Sequence, residues 1–328
     1  MSEQCSRRRF LRLSGATTVG LVGVGAGVAG AAENGWEAVE TPVTKTLTGV
    51  TIAGNGPWAA GGGGKVLERT TDGWVVRLRN GPAAEGNGLT DIDVTDDGRR
   101  VWFAGGSGVI GEMDIVDKTL TDYSAPKEKT STWETLSVTG SADTDETISL
   151  LNGSGEELTG YRQSDGSMEW GEVTKPGGGA SIKGSDAYGT DSFMVCDTTS
   201  KVYEARDDAE TWSEIGVRGG EVGFYGVAAV AEDDANVSGG GGMMYHWDGN
   251  RWTGRKIGSN TIPAVDRLDE LGLAAAGSGY VFRRQTIGSW ERIATPTGND
   301  LLGVALGGEA YPDVAVGSSG TIVEKNTV

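Results

Sequence analysis

Six tryptophans set the frame for this chain. Trp36, Trp74, Trp170, Trp212, Trp252 and Trp290 are separated by 38, 96, 42, 40 and 38 residues. Tyr123 divides the long gap into 49 and 47, and a further 38 residues lead from Trp290 to Val328. A sequence that repeats itself about every 40 residues, seven times over, cannot bury a core within one unit. Each unit must pack on its neighbours.

The internal order of the units names the element type. A first strand reads Leu47-Thr48-Gly49-Val50, Leu89-Thr90-Asp91-Ile92, Phe224-Tyr225-Gly226-Val227 or Leu302-Gly303-Val304. A second, wholly apolar strand runs into a Gly-rich turn, as in Trp58-Ala59-Ala60 before Gly61 to Gly64, or Val101-Trp102-Phe103-Ala104 before Gly105 to Gly108. A third strand follows (Lys65-Val66-Leu67-Glu68, Lys201-Val202-Tyr203-Glu204), then an Asp/Gly turn, then the Trp of a fourth. Four short strands per unit and seven units predict an all-β, seven-bladed β-propeller over residues 33–328. An open solenoid is the main competitor, but neither end carries a polar cap. The ends argue for closure. Gly35-Trp36-Glu37-Ala38 reads as a fourth strand and Thr321-Ile322-Val323-Glu324 as a third, so one blade is completed from both termini and no sheet edge is left open. Two stretches fit less well. The unit around Trp133 to Trp170 is longer and lacks a clean Gly turn. Val265, Leu268 and Leu271 fall at helical spacing, although the repeat register makes that stretch a hairpin.

Residues 1–32 read as a targeting segment. Ser6, Arg7, Arg8, Arg9, Phe10, Leu11 and Arg12 match the twin-arginine (Tat) export pattern, and a weakly apolar Gly/Ala/Val stretch ends at small residues before Glu33. The expectation is a protein exported by the Tat route and working outside the cytoplasmic membrane. The segment is either removed or kept as an anchor, and no later stretch reaches the roughly 18 apolar residues of a membrane span.

Charge narrows the partners. The chain holds 46 acidic residues against 28 basic ones, a net charge of -18, and four of its arginines lie in the export segment. Such a surface repels nucleic-acid backbones and anionic lipid. Scarce lysine and dispersed acids read as the signature of a salt-adapted, haloarchaeal proteome. Of the two cysteines, Cys5 lies in the export segment, so the remaining Cys196 has no disulfide partner. Its apolar surroundings make it a buried small hydrophobe.

The turns before the fourth strands carry a resemblance. Asp207-Asp208-Ala209-Glu210-Thr211-Trp212 keeps the Asp, Thr and Trp of the Asp-box (BNR) repeat. Thr71-Asp72-Gly73-Trp74, Ser164-Asp165-Gly166 before Trp170, and Asp248-Gly249 before Trp252 are shortened or shifted versions. Over about residues 35–328 the chain resembles Asp-box propellers of the photosystem II assembly-factor-like type. That resemblance implies a seven-bladed, extracytoplasmic, non-enzymatic protein that binds other proteins, with the Asp tying the turn and the Trp packing between blades.

Asp-box propellers also include sialidases, which need three Arg, a Tyr–Glu pair and an acidic Asp near the axis. The innermost strands here hold Arg only at Arg267. A glycan-binding or sialidase-like glycoside hydrolase propeller is therefore the alternative to a scaffold, and no catalytic residue is assigned. No metal or cofactor is expected. The single histidine, His246, has no Cys partners for zinc and is expected at a blade surface. Asp93 to Gly98 resembles a Ca²⁺ loop but puts Ala104 where the bidentate Glu belongs, which leaves a hairpin turn.

One asymmetry points to a binding face. Turns between first and second strands are acidic, as at Asp96-Asp97, Asp143 to Glu146 and Glu232-Asp233-Asp234. Connections between blades lie on the other face and carry Lys45, Arg79, Lys127, Lys129, Lys175, Arg218 and Lys256. The expectation is a docking surface for an acidic protein partner, with glycans as the alternative ligand.

Overall fold

The computed structural model describes residues 34–325. The export motif from Ser6 to Arg12, with the rest of residues 1–32, lies outside them. The described residues form 28 strands, numbered here in chain order, in seven four-stranded antiparallel sheets. The first blade is β2 (Leu47–Ala53), β3 (Gly56–Gly61), β4 (Lys65–Thr70) and β5 (Gly73–Leu78). The pattern recurs from innermost strands β6 (Leu89–Val94), β10 (Trp133–Thr139), β14 (Ile182–Tyr188), β18 (Phe224–Ala231) and β22 (Ala264–Leu268). The seventh sheet runs β26 (Leu301–Ala305), β27 (Asp313–Gly317), β28 (Ile322–Lys325) and then β1 (Trp36–Ala38). Trp36 pairs with Lys325 and Ala38 with Val323. The ring is a seven-bladed β-propeller, closed by joining its two ends in one blade.

Burial explains why these segments are strands. The second strand of a blade lies between neighbouring blades and is covered on both sides, so Val101 to Ala104 is an unbroken apolar run, fully buried. The fourth strand forms the rim and is polar, as in β21 (Trp252–Lys256), which is mostly exposed. The core therefore lies between blades. At the closure, Trp36, Leu301 and Ile322 of the seventh blade pack in one cluster with Leu47, Leu67 and Trp74 of the first.

Three devices hold the ring. Six of the seven innermost strands open with a β-bulge, at Leu47/Gly49, Leu89/Asp91, Trp133/Thr135, Ile182/Gly184, Phe224/Gly226 and Leu301/Gly303. A bulge adds one residue and sharpens the strand's twist, re-aiming the side chains around the axis. Next, carboxylates of one innermost strand accept backbone N–H groups of the following one. Asp91 accepts from Leu136 at 3.0 Å, Asp93 from Val138 at 2.9 Å, Asp186 from Ala229 at 2.8 Å and Asp266 from Leu306 at 2.7 Å. An innermost strand has no sheet neighbour on its channel side, and these acids satisfy donors that would otherwise be orphaned there. Finally, the Gly-rich turns meet the connections between blades. Gly64 has φ +68°, and a Cβ there would lie 2.2 Å from the backbone nitrogen of Gly81. Only glycine fits both the backbone angle and the contact.

Two local expectations are resolved. Residues 264–276 form a hairpin, β22 and β23 (Leu271–Ala276), with Leu268 opposite Leu271, and tertiary register overrides the helix-like spacing. The third blade does have its Gly turn. Asn152-Gly153-Ser154-Gly155 joins β11 (Thr147–Asn152) to β12 (Glu157–Arg162), with Asn152 Oδ1 accepting from the N–H groups of Ser154 and Glu156.

Candidate functional site

The two faces of the disc differ in chemistry. Turns between first and second strands and between third and fourth strands share one face. There Trp247 Nε1 donates to the Glu232 carbonyl at 2.9 Å and Arg206 pairs with Glu232 at 2.6 Å. Acids dominate it, including Asp143, Asp145, Glu232, Asp233, Asp207 and Asp208. The connections between blades and the Gly-rich turns share the other face, as the bond from Gly62 N to the Thr46 carbonyl at 2.8 Å shows.

On that second face the seven cations picked out from sequence divide into two groups. Lys127 pairs with Glu172 at 2.6 Å, Lys129 with Glu156 at 3.0 Å, and Lys175 with Glu156 at 3.7 Å. Lys129 and Asn152 hold the Glu156 carboxyl below the usual range. Lys45, Arg79, Arg218 and Lys256 are exposed, and among the described residues none of them has an ion-pair partner. The face is thus less basic than its lysines and arginines suggest, because Glu156 of a Gly-rich turn and Glu172 of another connection on that face neutralise part of the charge.

At its centre the channel opens into a cavity of about 180 Å³. The bulges position its rim, where Thr48, Thr90, Glu134, Lys183, Tyr225 and Leu302 stand, with Pro263 in the sixth blade. Glu134 and Lys183 form an ion pair at 2.7 Å across the third and fourth blades. Below them Thr135 Oγ1 donates to Asp91 at 2.7 Å and lies 2.9 Å from Ser185 Oγ, which also accepts from Ser137 Oγ at 2.7 Å. The walls of the fifth, sixth, seventh and first blades are Val227, Ala264, Val265, Val304 and Val50. Sequence reasoning missed this mouth. The bulge residues are ordinary one by one, and only their shared place in the repeat marks them.

Arginines do converge, but away from the axis and between the second and third blades. Arg162 of β12 bonds Glu112 and Glu146 (2.8 Å to the latter) and donates to the Tyr123 hydroxyl at 2.9 Å. Arg100 of β7 (Arg100–Gly105) reaches Glu146 at 2.7 Å and Asp143 at 2.6 Å, and Trp102 Nε1 donates to Glu146 at 2.5 Å. The Arg162 and Glu146 side chains are 2% and 0% exposed. Burial pushes the Glu112 carboxyl up, against the pull of Arg162 and Arg100. The guanidinium groups are occupied by this chain's own carboxylates, so the cluster acts as an ionic rivet between blades. Arg267, the one arginine of the innermost strands, likewise turns into a blade interface. It makes a two-pronged contact with Asp234, 2.5 and 2.9 Å.

The other singled-out groups serve structure. Asp93 and Asp96 bind backbone N–H groups of the next blade, and Asp97 accepts from Thr95 Oγ1 and the N–H of Arg99. Among the described residues no three His, Cys, Asp or Glu side chains converge as metal ligands. His246 is not a surface residue. Its side chain is 11% exposed, lies 3.6 Å from Asp234, and is held below its ordinary pKa by burial. Burial pushes the Cys196 thiol up, as its apolar strand suggested. At the turns before the fourth strands, Asp207 accepts from the N–H and hydroxyl of Thr211, Asp165 from those of Ser167, and Asp248 from the N–H groups of Asn250 and Arg251. Trp252 Nε1 reaches the Ile215 carbonyl of the preceding blade at 3.2 Å.

No protein-family model and no curated protein matches the sequence. Solved structures do match the fold. The WD40 repeats of RRP9 superpose with a TM-score of 0.72 at 9% identity, covering 90% of this chain and 98% of that one. Virginiamycin B lyase from Staphylococcus aureus gives 0.70 at 14% identity, covering 89% and 100%. YCF48 from Cyanidioschyzon merolae gives 0.66 at 16% identity, covering 89% and 98%. At these identities the likeness is one of architecture.

Proposed function

We propose that the protein is a non-catalytic interaction scaffold, exported by the Tat route and acting outside the cytoplasmic membrane of a salt-adapted cell. It docks an acidic protein partner and assists the assembly or stability of a membrane or envelope complex. The observation that carries the reading is the division of charge between the faces. Among the described residues Lys45, Arg79, Arg218 and Lys256 have no ion-pair partner on the face of the connections between blades, Lys256 at the end of the rim strand β21, while acids crowd the opposite face. A strongly acidic molecule that keeps free cations on one loop-built face orients an acidic partner toward that face and repels it from the other. The Asp-tied turns and the architecture shared with YCF48 support the same reading.

The test is crosslinking and affinity purification from membranes in high salt. The wild type is compared with a variant carrying Lys45→Glu, Arg79→Glu, Arg218→Glu and Lys256→Glu. Loss of one partner from the variant is expected, and unchanged recovery of every partner overturns the docking assignment. Export is tested separately by Arg7→Lys with Arg8→Lys, which is expected to hold the protein in the cytoplasm.

A further inference from the structure

Two fully buried arginines meet a buried histidine between the fifth and sixth blades, and partner docking does not require that arrangement. On the sixth blade Arg267 of β22 stands opposite Gly272 of β23, and Arg284 of β24 (Tyr280–Thr286) stands opposite Trp290. A Cβ on Gly272 would lie 2.9 Å from Arg284 Cβ and 3.2 Å from its Cδ, so the Arg284 stem crosses Gly272 on the face that Arg267 shares. Both guanidinium groups end under the turn from β22 to β23. Arg267 donates to the Asp269 carbonyl, and Arg284 to the Glu270 carbonyl at 2.6 Å. From the fifth blade come Asn236 and His246, paired across β19 (Asp234–Gly239) and β20 (Met243–Trp247), with Asn236 Oδ1 accepting from Arg267 at 3.2 Å. We propose that Arg267, Arg284 and His246 hold a monatomic monovalent anion, a halide such as chloride, between these two blades.

The charges are unevenly buried. The Arg267 and Arg284 side chains are 0% and 1% exposed, but their carboxylate partners Asp234 and Glu270 are 28% and 81% exposed. The cations thus lie deeper than the charges that answer them, and the Glu270 carboxylate that Arg284 meets at 2.8 Å stands in water. A buried charge needs an opposite charge beside it in the interior. One monovalent anion supplies it, whereas a divalent oxyanion brings more charge than the site lacks.

The donors are already there. Arg284 Nη2, Arg267 Nε and His246 Nδ1 are buried, and among the described residues none of these atoms has a hydrogen-bond partner. Such groups are costly to leave unmade, most of all on a charged side chain. Asn236 does not serve them, since its amide is spent on the Tyr245 carbonyl and Arg267. The edge of the Trp290 ring covers Gly272, with Cη2 2.9 Å from where a Cβ would lie. In so closed a place a single spherical ion, which accepts from any direction, fits better than an anion of several atoms. Burial and both arginines disfavour the charged imidazole, against the pull of Asp234 and the Ala235 carbonyl. An anion bound beside the ring favours the charged form instead.

The test uses the whole chain at fixed ionic strength, with sodium chloride replacing sodium gluconate, an anion too large for the site. Thermal midpoints are expected to rise with chloride, by about 5 °C at a hundred times the half-saturating concentration. His246 is the only histidine of the chain, and its ring titration, followed by NMR, is expected to move to higher pH in chloride. Glu270→Gln removes an exposed competitor for Arg284 and should lower the half-saturating concentration about two- to fivefold. Arg284→Gln should abolish the response. If that variant does not fold, Glu270→Gln and the imidazole titration decide. The proposal is overturned if chloride and gluconate give equal midpoints, which leaves water as the partner of these donors. It is also overturned if the imidazole titrates alike in both salts, or if Glu270→Gln leaves the half-saturating concentration unchanged, because the chloride then acts elsewhere.

Discussion

Trp74 of the first blade donates its indole N–H to Glu324 Oε1 of the seventh at 2.6 Å, a bond between residues 250 positions apart. Arg69 Nε donates to the same oxygen at 2.8 Å. This carboxylate fastens the seam where the ring closes. Glu324→Ala leaves a buried indole N–H and a guanidinium without their acceptor and is expected to cost about 2–3 kcal/mol. Urea unfolding of the two proteins measures the difference. A loss within about 0.5 kcal/mol, the usual size of a surface change, would mean that the apolar cluster alone closes the ring.

Glu157 predicts a pH dependence. Its carboxyl is enclosed by the hydroxyls of Ser149, Thr159 and Thr174 at 2.7–2.9 Å, and burial raises its pKa from 4.5 to about 7. A folded-state value above the unfolded one means its contribution is fully present below about pH 4.5 and is lost as pH rises through about 7. Glu157→Gln keeps a neutral group at every pH. Its stability relative to the wild type is expected to improve between pH 4.5 and 8, by a few kcal/mol in all. Unfolding free energies of both proteins across that range provide the check, and a constant difference refutes it.

Removing one member of the buried ionic cluster is expected to be severe. Arg162→Leu leaves the buried Glu112 and Glu146 with Arg100 as their one cation and should cost about 3–5 kcal/mol. Arg162→Lys should recover only part of this, since an ammonium cannot span both carboxylates and the Tyr123 hydroxyl. Denaturant midpoints of the two variants read this directly. Equal recovery by lysine would show that charge alone matters there.

Neighbouring glycines provide a controlled comparison. Gly63 and Gly64 have φ +71° and +68°, but a Cβ at Gly63 meets nothing within 4 Å, whereas at Gly64 it meets the backbone of Gly81. Gly63→Ala is expected to cost about 1 kcal/mol from backbone strain alone. Gly64→Ala should exceed it by about 2 kcal/mol or more, because the loop between the first two blades must move. Thermal midpoints of the pair separate conformation from contact.

How much of this could be read beforehand depended on distance along the chain. The tryptophan period, the four-strand unit and the seam between Trp36 and Lys325 were legible because each repeats or terminates a local pattern. The bulges at Gly49 or Gly184 were not, since a bulge belongs to a pair of strands and leaves no residue signature of its own. Asp91 read as one residue of a first strand, and Asp93 as the start of a hairpin turn resembling a calcium loop. Their task became visible only when the next strand's N–H groups appeared beside them. The neutralisation of Lys127 by Glu172 and of Lys129 by Glu156 joins residues 45 and 27 positions apart, beyond any local window. His246 was expected at a blade surface once zinc was set aside, and nothing local shows that it is half-buried with Arg267 and Arg284 of the next blade nearby.

The antiparallel pairing of Trp36 with Lys325 has a practical corollary. The two residues stand side by side in one blade at its acid-rich side, where the turns from third to fourth strands lie. Chain that continues beyond either residue therefore starts from the face opposite the loops and the cavity.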